Sequence, residues 1–330
     1  MTPPRPLVIG HRGAPGYRPE HSRAAYELAV RMGVDAVEPD LVVSRDGVLV
    51  VRHENEISGT TDVADRPEFA DRRTTKTVDG ERLTGWFTED FTWAELSTLR
   101  CRERLPRIRP HSAAFDDRQP VLRLADVIDL VAAAAGERPV GLVLEVKHPT
   151  YFAALGHDMA ALIEAELARA RWHGSLVIES FEQTVLAQLR GRGIRASFVY
   201  LIDAAGAPAD LVAREGDAAA TYRDTVSPAG LDALAGEVDG ISVHRRLILD
   251  PRRAGREPGE SVVDDAHARG LQVYTWTCRP ENVFLRREYR GKGGASAFGD
   301  YEGEWGVIRD AGVDGVFVDH ADLGVAFFRG

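Results

Sequence analysis

Cysteine is almost missing from these 330 residues. Cys101 and Cys278 stand far apart and without Cys-x-x-Cys spacing, so neither a disulfide framework nor a zinc–thiolate site can be argued. An excess of basic residues is missing too: 41 Lys and Arg face 51 Asp and Glu, and the net charge of −10 repels nucleic-acid phosphates, which argues against a nucleic-acid partner. No run of 18 apolar residues occurs, so no membrane-spanning helix is expected. The segment Met1–Pro6 lacks the apolar stretch and small-residue cleavage site of a signal peptide. The chain as given is therefore expected in the cytoplasm, or outside it if a leader precedes this sequence. No internal repeat or low-complexity tract is found. What remains is ordinary globular material, 44% hydrophobic and 28% charged, enough to bury a sizeable core and to exclude disorder.

Short β-branched and apolar runs alternate with longer stretches of helical period, the pattern of parallel strands joined by helices. Eight strands are expected, at Leu7–Gly10, Ala36–Val42, Gly141–Lys147, Ser175–Phe181, Ala196–Ile202, Gly240–His244, Gln272–Thr277 and Gly315–Asp319. Helices are expected at Ala24–Met32, Phe152–Arg171 and Ser261–Arg269, among others. Eight βα units favour a closed α/β barrel over a doubly wound open sheet, which rarely needs eight strands, and no Gly-x-Gly-x-x-Gly follows the first strand. Charged and turn-forming residues interrupt the rhythm over approximately residues 54–120. A structureless loop of that length is unusual, and Thr92-Trp93-Ala94-Glu95 has the form of a capping box, so a small subdomain inserted in a single 1–330 domain is expected. A second interruption, about Arg279 to Gly303, reads as a long loop.

In a parallel barrel the C-terminal strand ends carry the chemistry. The first strand closes on His11-Arg12-Gly13. Glu38-Pro39-Asp40 on the second places two carboxylates on one face, since residues two apart on a strand point the same way. Glu145 on the third follows an apolar run in which an unpaired charge would be costly. Three convergent acids point to a hard divalent cation with oxygen ligands. Past a turn at Asp46-Gly47, Val48–Arg52 returns the chain to His53, a second imidazole near the same mouth. Two imidazoles can divide the proton removal and proton donation that cleavage of a phosphodiester requires. A histidine at a strand end can equally satisfy a buried backbone group, and Phe181 and Trp276 at later strand ends can equally be core. For the pair Asp319-His320, substrate contact and loop capping stay open, and Arg245-Arg246 and Arg252-Arg253 are expected at the solvated surface.

Together these residues resemble the glycerophosphodiester phosphodiesterase family, in its bacterial periplasmic-type branch. His11-Arg12-Gly13-Ala14-Pro15-Gly16-Tyr17-Arg18-Pro19-Glu20-His21-Ser22 is similar to that family's HRG-x-x-G-x-x-PE-[NH]-[ST] signature, with Pro15 where Ser is frequent. Glu38-Pro39-Asp40 matches its E-x-D, and Asp46-Gly47 through His53 its DG-x-hydrophobic-H segment. Thr60–Arg66 resembles the start of the branch's inserted subdomain, and Glu145-Val146-Lys147, Ser180-Phe181, Trp276-Thr277 and Asp319 fall in order at the later motifs. The resemblance implies a TIM (β/α)8 barrel hydrolase releasing sn-glycerol 3-phosphate and an alcohol from glycerophosphodiesters such as glycerophosphocholine and glycerophosphoethanolamine. It implies His11 and His53 as the acid–base pair, Glu38, Asp40 and Glu145 as metal ligands, and Arg12 and Lys147 near the phosphate. Phe181 and Trp276 would wall the glycerol side. Calcium is implied by the branch, with magnesium the alternative. The readings weighed against this are a phosphatidylinositol phospholipase C-like enzyme, disfavoured by the acidic charge, and a non-catalytic barrel that binds a phosphorylated ligand.

Overall fold

Each apolar run expected to be a strand is one, and the runs close on themselves. The computed structural model describes residues 5–134, 138–255, 257 and 260–330, which leaves most of the Met1–Pro6 segment outside the described residues. Strand β1 (Leu7–His11) comes first, and β2 (Ala36–Glu38) and β3 (Asp40–Val43) are one strand interrupted at Pro39, whose nitrogen has no hydrogen for the ladder. Strand β4 (Leu49–Val51) folds back antiparallel on β3, and β5 (Thr74–Val78) with β6 (Glu81–Gly85) forms a separate hairpin. Then come β7 (Gly141–Val146), β8 (Leu176–Ser180), β9 (Ser197–Ile202), β10 (Gly240–His244), β11 (Gln272–Cys278) and β12 (Gly315–Val318). In the sheet β1 lies between β12 and β2, β7 meets both β2 and β3, and β7 to β12 pair in succession, all in parallel. The product is a TIM-type barrel of eight parallel strands, not an open sheet.

The pleat then decides what faces the barrel axis. Ile9, Ala36, Val143, Val177, Val199, Tyr274 and Phe317, one from each of seven strands, form an apolar cluster of their own, separate from the larger core between barrel and helices. Because side chains alternate with period two, the next inward residue on each strand lies two positions on. Those residues are His11, Glu38, Glu145, Glu179, Leu201, Trp276 and Asp319, and His244 is their counterpart on β10. A polar layer thus caps the apolar one at the C-terminal face.

The inserted residues do not make a core apart. Ile57, Val63, Phe69, Trp86, Phe91 and Leu96 belong to the same apolar cluster as Leu41 and Val50 of the barrel. The short helix Trp93–Leu96 carries the expected capping box, with Thr92 and Glu95 satisfying each other's backbone N–H groups. One expected helix, Phe152–Arg171, is instead two, Pro149–Ala154 and Met159–Ala170. Gly156 takes φ +90 between them and Asp158 caps the second, so a break sits inside what reads as continuous helical period. At the end of β1, Gly13 is required by space as well as by its φ of +94, since a Cβ there would lie 2.7 Å from the Ala25 carbonyl carbon. This close approach seats the helix Arg23–Met32 against the His11-Arg12 turn. No helix among the described residues is long and apolar enough to cross a membrane.

Candidate active site

Strand register brings the acids together. His11 is paired with Glu38 across β1 and β2, Asp40 with Glu145 across β3 and β7, and Glu145 with Glu179 across β7 and β8. Neighbouring strands lie about 4.8 Å apart, so side chains in register and facing inward must meet. Glu38, Glu145 and Glu179 offer oxygen atoms that all lie within 4.8 Å of one another, and all three residues are buried. Burial, joined by the charges of Asp40 and Glu145, pushes the Glu38 carboxyl well above its usual range, and Glu179 is raised by the same causes. Glu145 is raised to about 8 by burial and by Asp40, with Lys147 opposing. Burial among like charges disfavours ionisation of all three.

Asp40, expected with Glu38 and Glu145 as a ligand, lies beside these glutamates in register with Glu145, and Glu179 joins them. Asp40 Oδ2 accepts a hydrogen bond from His21 Nε2 at 2.8 Å, and Arg12 Nε stands 3.4 Å from the same oxygen. Burial alone would raise this carboxyl, but His53, Lys147, Arg12 and the His21 bond hold it well below its usual range. His21 and Arg12 thus hold Oδ2, while Oδ1 is buried beside the glutamates, 3.9 Å from Lys147 Nζ and unpartnered by a hydrogen bond. Glu179 Oε2 is likewise buried and unpartnered. An all-oxygen donor set with orphaned buried oxygens, in carboxyls whose ionisation burial and neighbouring acids disfavour, fits a hard divalent cation.

Both sequence-predicted histidines line the same cavity, of about 430 Å³, with Arg12, Lys147, Phe181 and Trp276. His11 Nδ1 donates to Asp319 Oδ1 at 2.6 Å, and His53 Nδ1 donates to Glu54 Oε1 at 2.5 Å. Each ring thereby keeps Nε2 without a hydrogen-bond partner among the described residues. His11 is lowered to about 4 by burial and by Arg12, against the pull of Asp319, and His53 to about 3 by burial, Arg12 and Lys147. Burial and the neighbouring cations thus favour the neutral form of each imidazole, with Nε2 the accepting nitrogen.

Arg12 sits at φ +58, an uncommon conformation for a side-chain-bearing residue, and its backbone N–H donates to Glu38 Oε2 at 2.7 Å. Lys147 Nζ donates to Glu145 Oε1 at 2.7 Å. Phe181 and Trp276 meet edge to face with centroids 5.6 Å apart, and His244 packs against Trp276 at 4.8 Å.

Glu179, Glu54 and His244 have no role in the sequence reading, and that of Asp319 is left open there. Glu179 has a visible signal, a charge inside the apolar run Leu176-Val177-Ile178. Asp319 ends the last strand and was weighed only as a substrate contact or loop cap. Glu54 and His244 carry no local signal that separates them from surface residues.

The raised Glu145 has a measurable consequence. Its carboxyl ionises near pH 4.5 in the unfolded chain and near 8 in the folded metal-free one, so between those values the unfolded state holds fewer protons and stability falls as pH rises, by about 1.4 kcal/mol per pH unit at most. Glu145→Gln removes that slope. In urea titrations of metal-free protein, the variant is expected to gain on the parent steadily from pH 5 to 8, and a difference independent of pH would refute the raised carboxyl.

Comparison with known proteins bears on the family and the fold. A profile of the glycerophosphoryl diester phosphodiesterase family matches residues 11–323. A glycerophosphodiester phosphodiesterase of Arabidopsis thaliana is 32% identical over 327 residues, covering 96% of this chain and 84% of its own. One of Treponema pallidum is 24% identical over 97% of this chain and 91% of its own. Among solved structures, an Oleispira antarctica phosphodiesterase in complex with the product sn-glycerol-3-phosphate superposes with a TM-score of 0.64 at 19% identity, over 99% of this chain and 98% of its own. A glycerophosphodiester phosphodiesterase from Parabacteroides distasonis does so with a TM-score of 0.60 at 16% identity, over 98% and 97%. At such identities the structural likeness speaks for the fold.

Proposed function

The chain belongs to the glycerophosphoryl diester phosphodiesterase family, whose members are phosphoric diester hydrolases, and from that premise we propose that it hydrolyses glycerophosphodiesters such as glycerophosphocholine and glycerophosphoethanolamine to sn-glycerol 3-phosphate and an alcohol, with a divalent cation. The observation that carries this reading is one cavity lined by two neutral imidazoles, three buried glutamates and the cations Arg12 and Lys147.

The phosphodiester anion lies against Arg12 and Lys147, whose charges offset that of the phosphoryl oxygens. One imidazole takes a proton from the attacking oxygen at Nε2, while its Nδ1–H, held by a carboxylate, fixes the tautomer that leaves Nε2 free to accept. The other imidazole, charged once the substrate anion stands beside it, donates its Nε2 proton to the leaving alkoxide. Phe181 and Trp276 present apolar faces to the glycerol carbons. Glu38, Glu145 and Glu179, with Asp40 Oδ1 at their side, would hold the cation, which when bound would supply Lewis-acid neutralisation of the reacting phosphoryl group. Carboxylate oxygens suit calcium and also magnesium.

The deciding assay is release of sn-glycerol 3-phosphate from each diester by metal-stripped protein, before and after addition of Ca²⁺ or Mg²⁺. Release that depends on added ion is expected. Full activity in the stripped protein would remove the cation from the proposal, and no release under any condition from protein with an intact melting transition would remove hydrolysis of these diesters.

A further inference from the structure

Each proposed acid–base histidine leans on a carboxylate, and both carboxylates lean on one short stretch of the inserted segment. Arg104 Nη1 and Nη2 donate to the two oxygens of Glu54 at 2.7 and 2.5 Å, a bidentate pair, and Glu54 Oε1 holds His53 Nδ1. Arg109 Nη2 donates to Asp319 Oδ2 at 2.6 Å, and Asp319 Oδ1 holds His11 Nδ1. The backbone between the two arginines is a closed turn, in which the N–H groups of Ile108 and Arg109 both donate to the Leu105 carbonyl at 2.8 Å. That turn is tied down on both sides. Arg104 also reaches Glu20 through Nε and Nη2, each at 2.7 Å, and Arg109 Nε reaches the buried Glu281 at 2.7 Å.

We propose that the Arg104–Arg109 turn is a positioning device that orients both catalytic histidines from outside the barrel, Arg104 through Glu54 and Arg109 through Asp319. The inference rests on the acid–base reading of His11 and His53. Its physical basis is that a carboxylate gripped on its far side keeps its charge and its rotamer, and so keeps the imidazole it holds in one tautomer and one orientation. A barrel strand end alone cannot do this for His53, which follows β4 and is only half-buried. The two arms are unequal. Asp319 has a second cation, Arg279 Nε at 2.6 Å, whereas Arg104 is the only arginine or lysine paired with Glu54 among the described residues. Losing Arg104 therefore costs more than losing Arg109.

The test couples each arginine to its histidine. Arg104→Met is expected to lower kcat on glycerophosphocholine by about 10- to 100-fold with KM within about twofold, the range for loss of an orienting partner, and Arg104→Lys to restore part of it. Arg109→Lys, chosen because it keeps a cation beside buried Asp319 and Glu281, is expected to lower kcat by a smaller factor. In a His53→Ala background the Arg104→Met loss should vanish, while in a His11→Ala background it should persist in full, and the dependence should be reversed for Arg109→Lys. A merely structural arginine would cost the same in both backgrounds, and that result, or an Arg104→Met enzyme within twofold of the parent, overturns the proposal. Should His53→Ala and His11→Ala both turn over normally, the acid–base reading fails first and the positioning device with it. Histidine variants that are inactive beside an unaffected Arg104→Met enzyme overturn the device alone.

Discussion

His11→Ala is expected to lower kcat for sn-glycerol 3-phosphate release by about 10²–10⁴-fold, the contribution of a positioned general acid or base, while the thermal transition stays close to the parent's. Its fold should survive because the partner left behind is not left alone. Asp319 keeps Arg109 and Arg279 at 2.6 Å each, so the buried carboxylate remains paired when the imidazole is removed. His53→Ala should show a loss in the same range, since Glu54 remains paired with Arg104. Steady-state kinetics with a melting curve on each variant check both expectations. Turnover within a few-fold of the parent in either one would remove that histidine from the chemistry, and a collapsed melting transition would mark the ring as a structural support.

The second large effect concerns the acids. Glu38→Gln keeps an acceptor for the Arg12 backbone N–H but removes one negative charge from the set of three glutamates. Lewis-acid help worth several kcal/mol corresponds to about 10²- to 10³-fold in rate, so turnover at low ion concentration should fall by about that much, and the activation curve should move to higher Ca²⁺ or Mg²⁺. The same substitution should raise the stability of the metal-free protein at pH 7 and above, because the folded Glu38 carboxyl resists ionisation and glutamine has nothing to ionise. Lower activity joined to higher metal-free stability separates a ligand from a packing residue. An unshifted activation curve would count against Glu38 as a ligand.

Much of this site is legible residue by residue. Glu38, Glu145 and the two histidines are polar groups at the ends of apolar β-branched runs, where burial is costly without a purpose, and period two puts Glu38 and Asp40 on one face. The capping box at Thr92 and the turn before β4 are equally local and equally readable. Asp40 shows the limit of that reasoning, for its spacing from Glu38 predicts a shared face but not the His21 and Arg12 contacts that claim one of its oxygens. The break at Gly156 shows another, since helical period in the sequence survives across it.

The sequence by itself determined the alternation of strand and helix and the polar chemistry of several strand ends, because apolar runs and helix period are properties of neighbouring residues. Only the tertiary structure decided which of those strand-end groups touch. His11 and Asp319 are 308 positions apart and meet because β1 pairs with β12 when the barrel closes. Glu179 joins Glu38 and Glu145 because register across β7 and β8 aligns it, and Arg104 and Arg109 reach two different carboxylates because the inserted segment packs on the barrel's own core. Closure and register are decided by the summed packing of the whole chain, so no local stretch of sequence carries them.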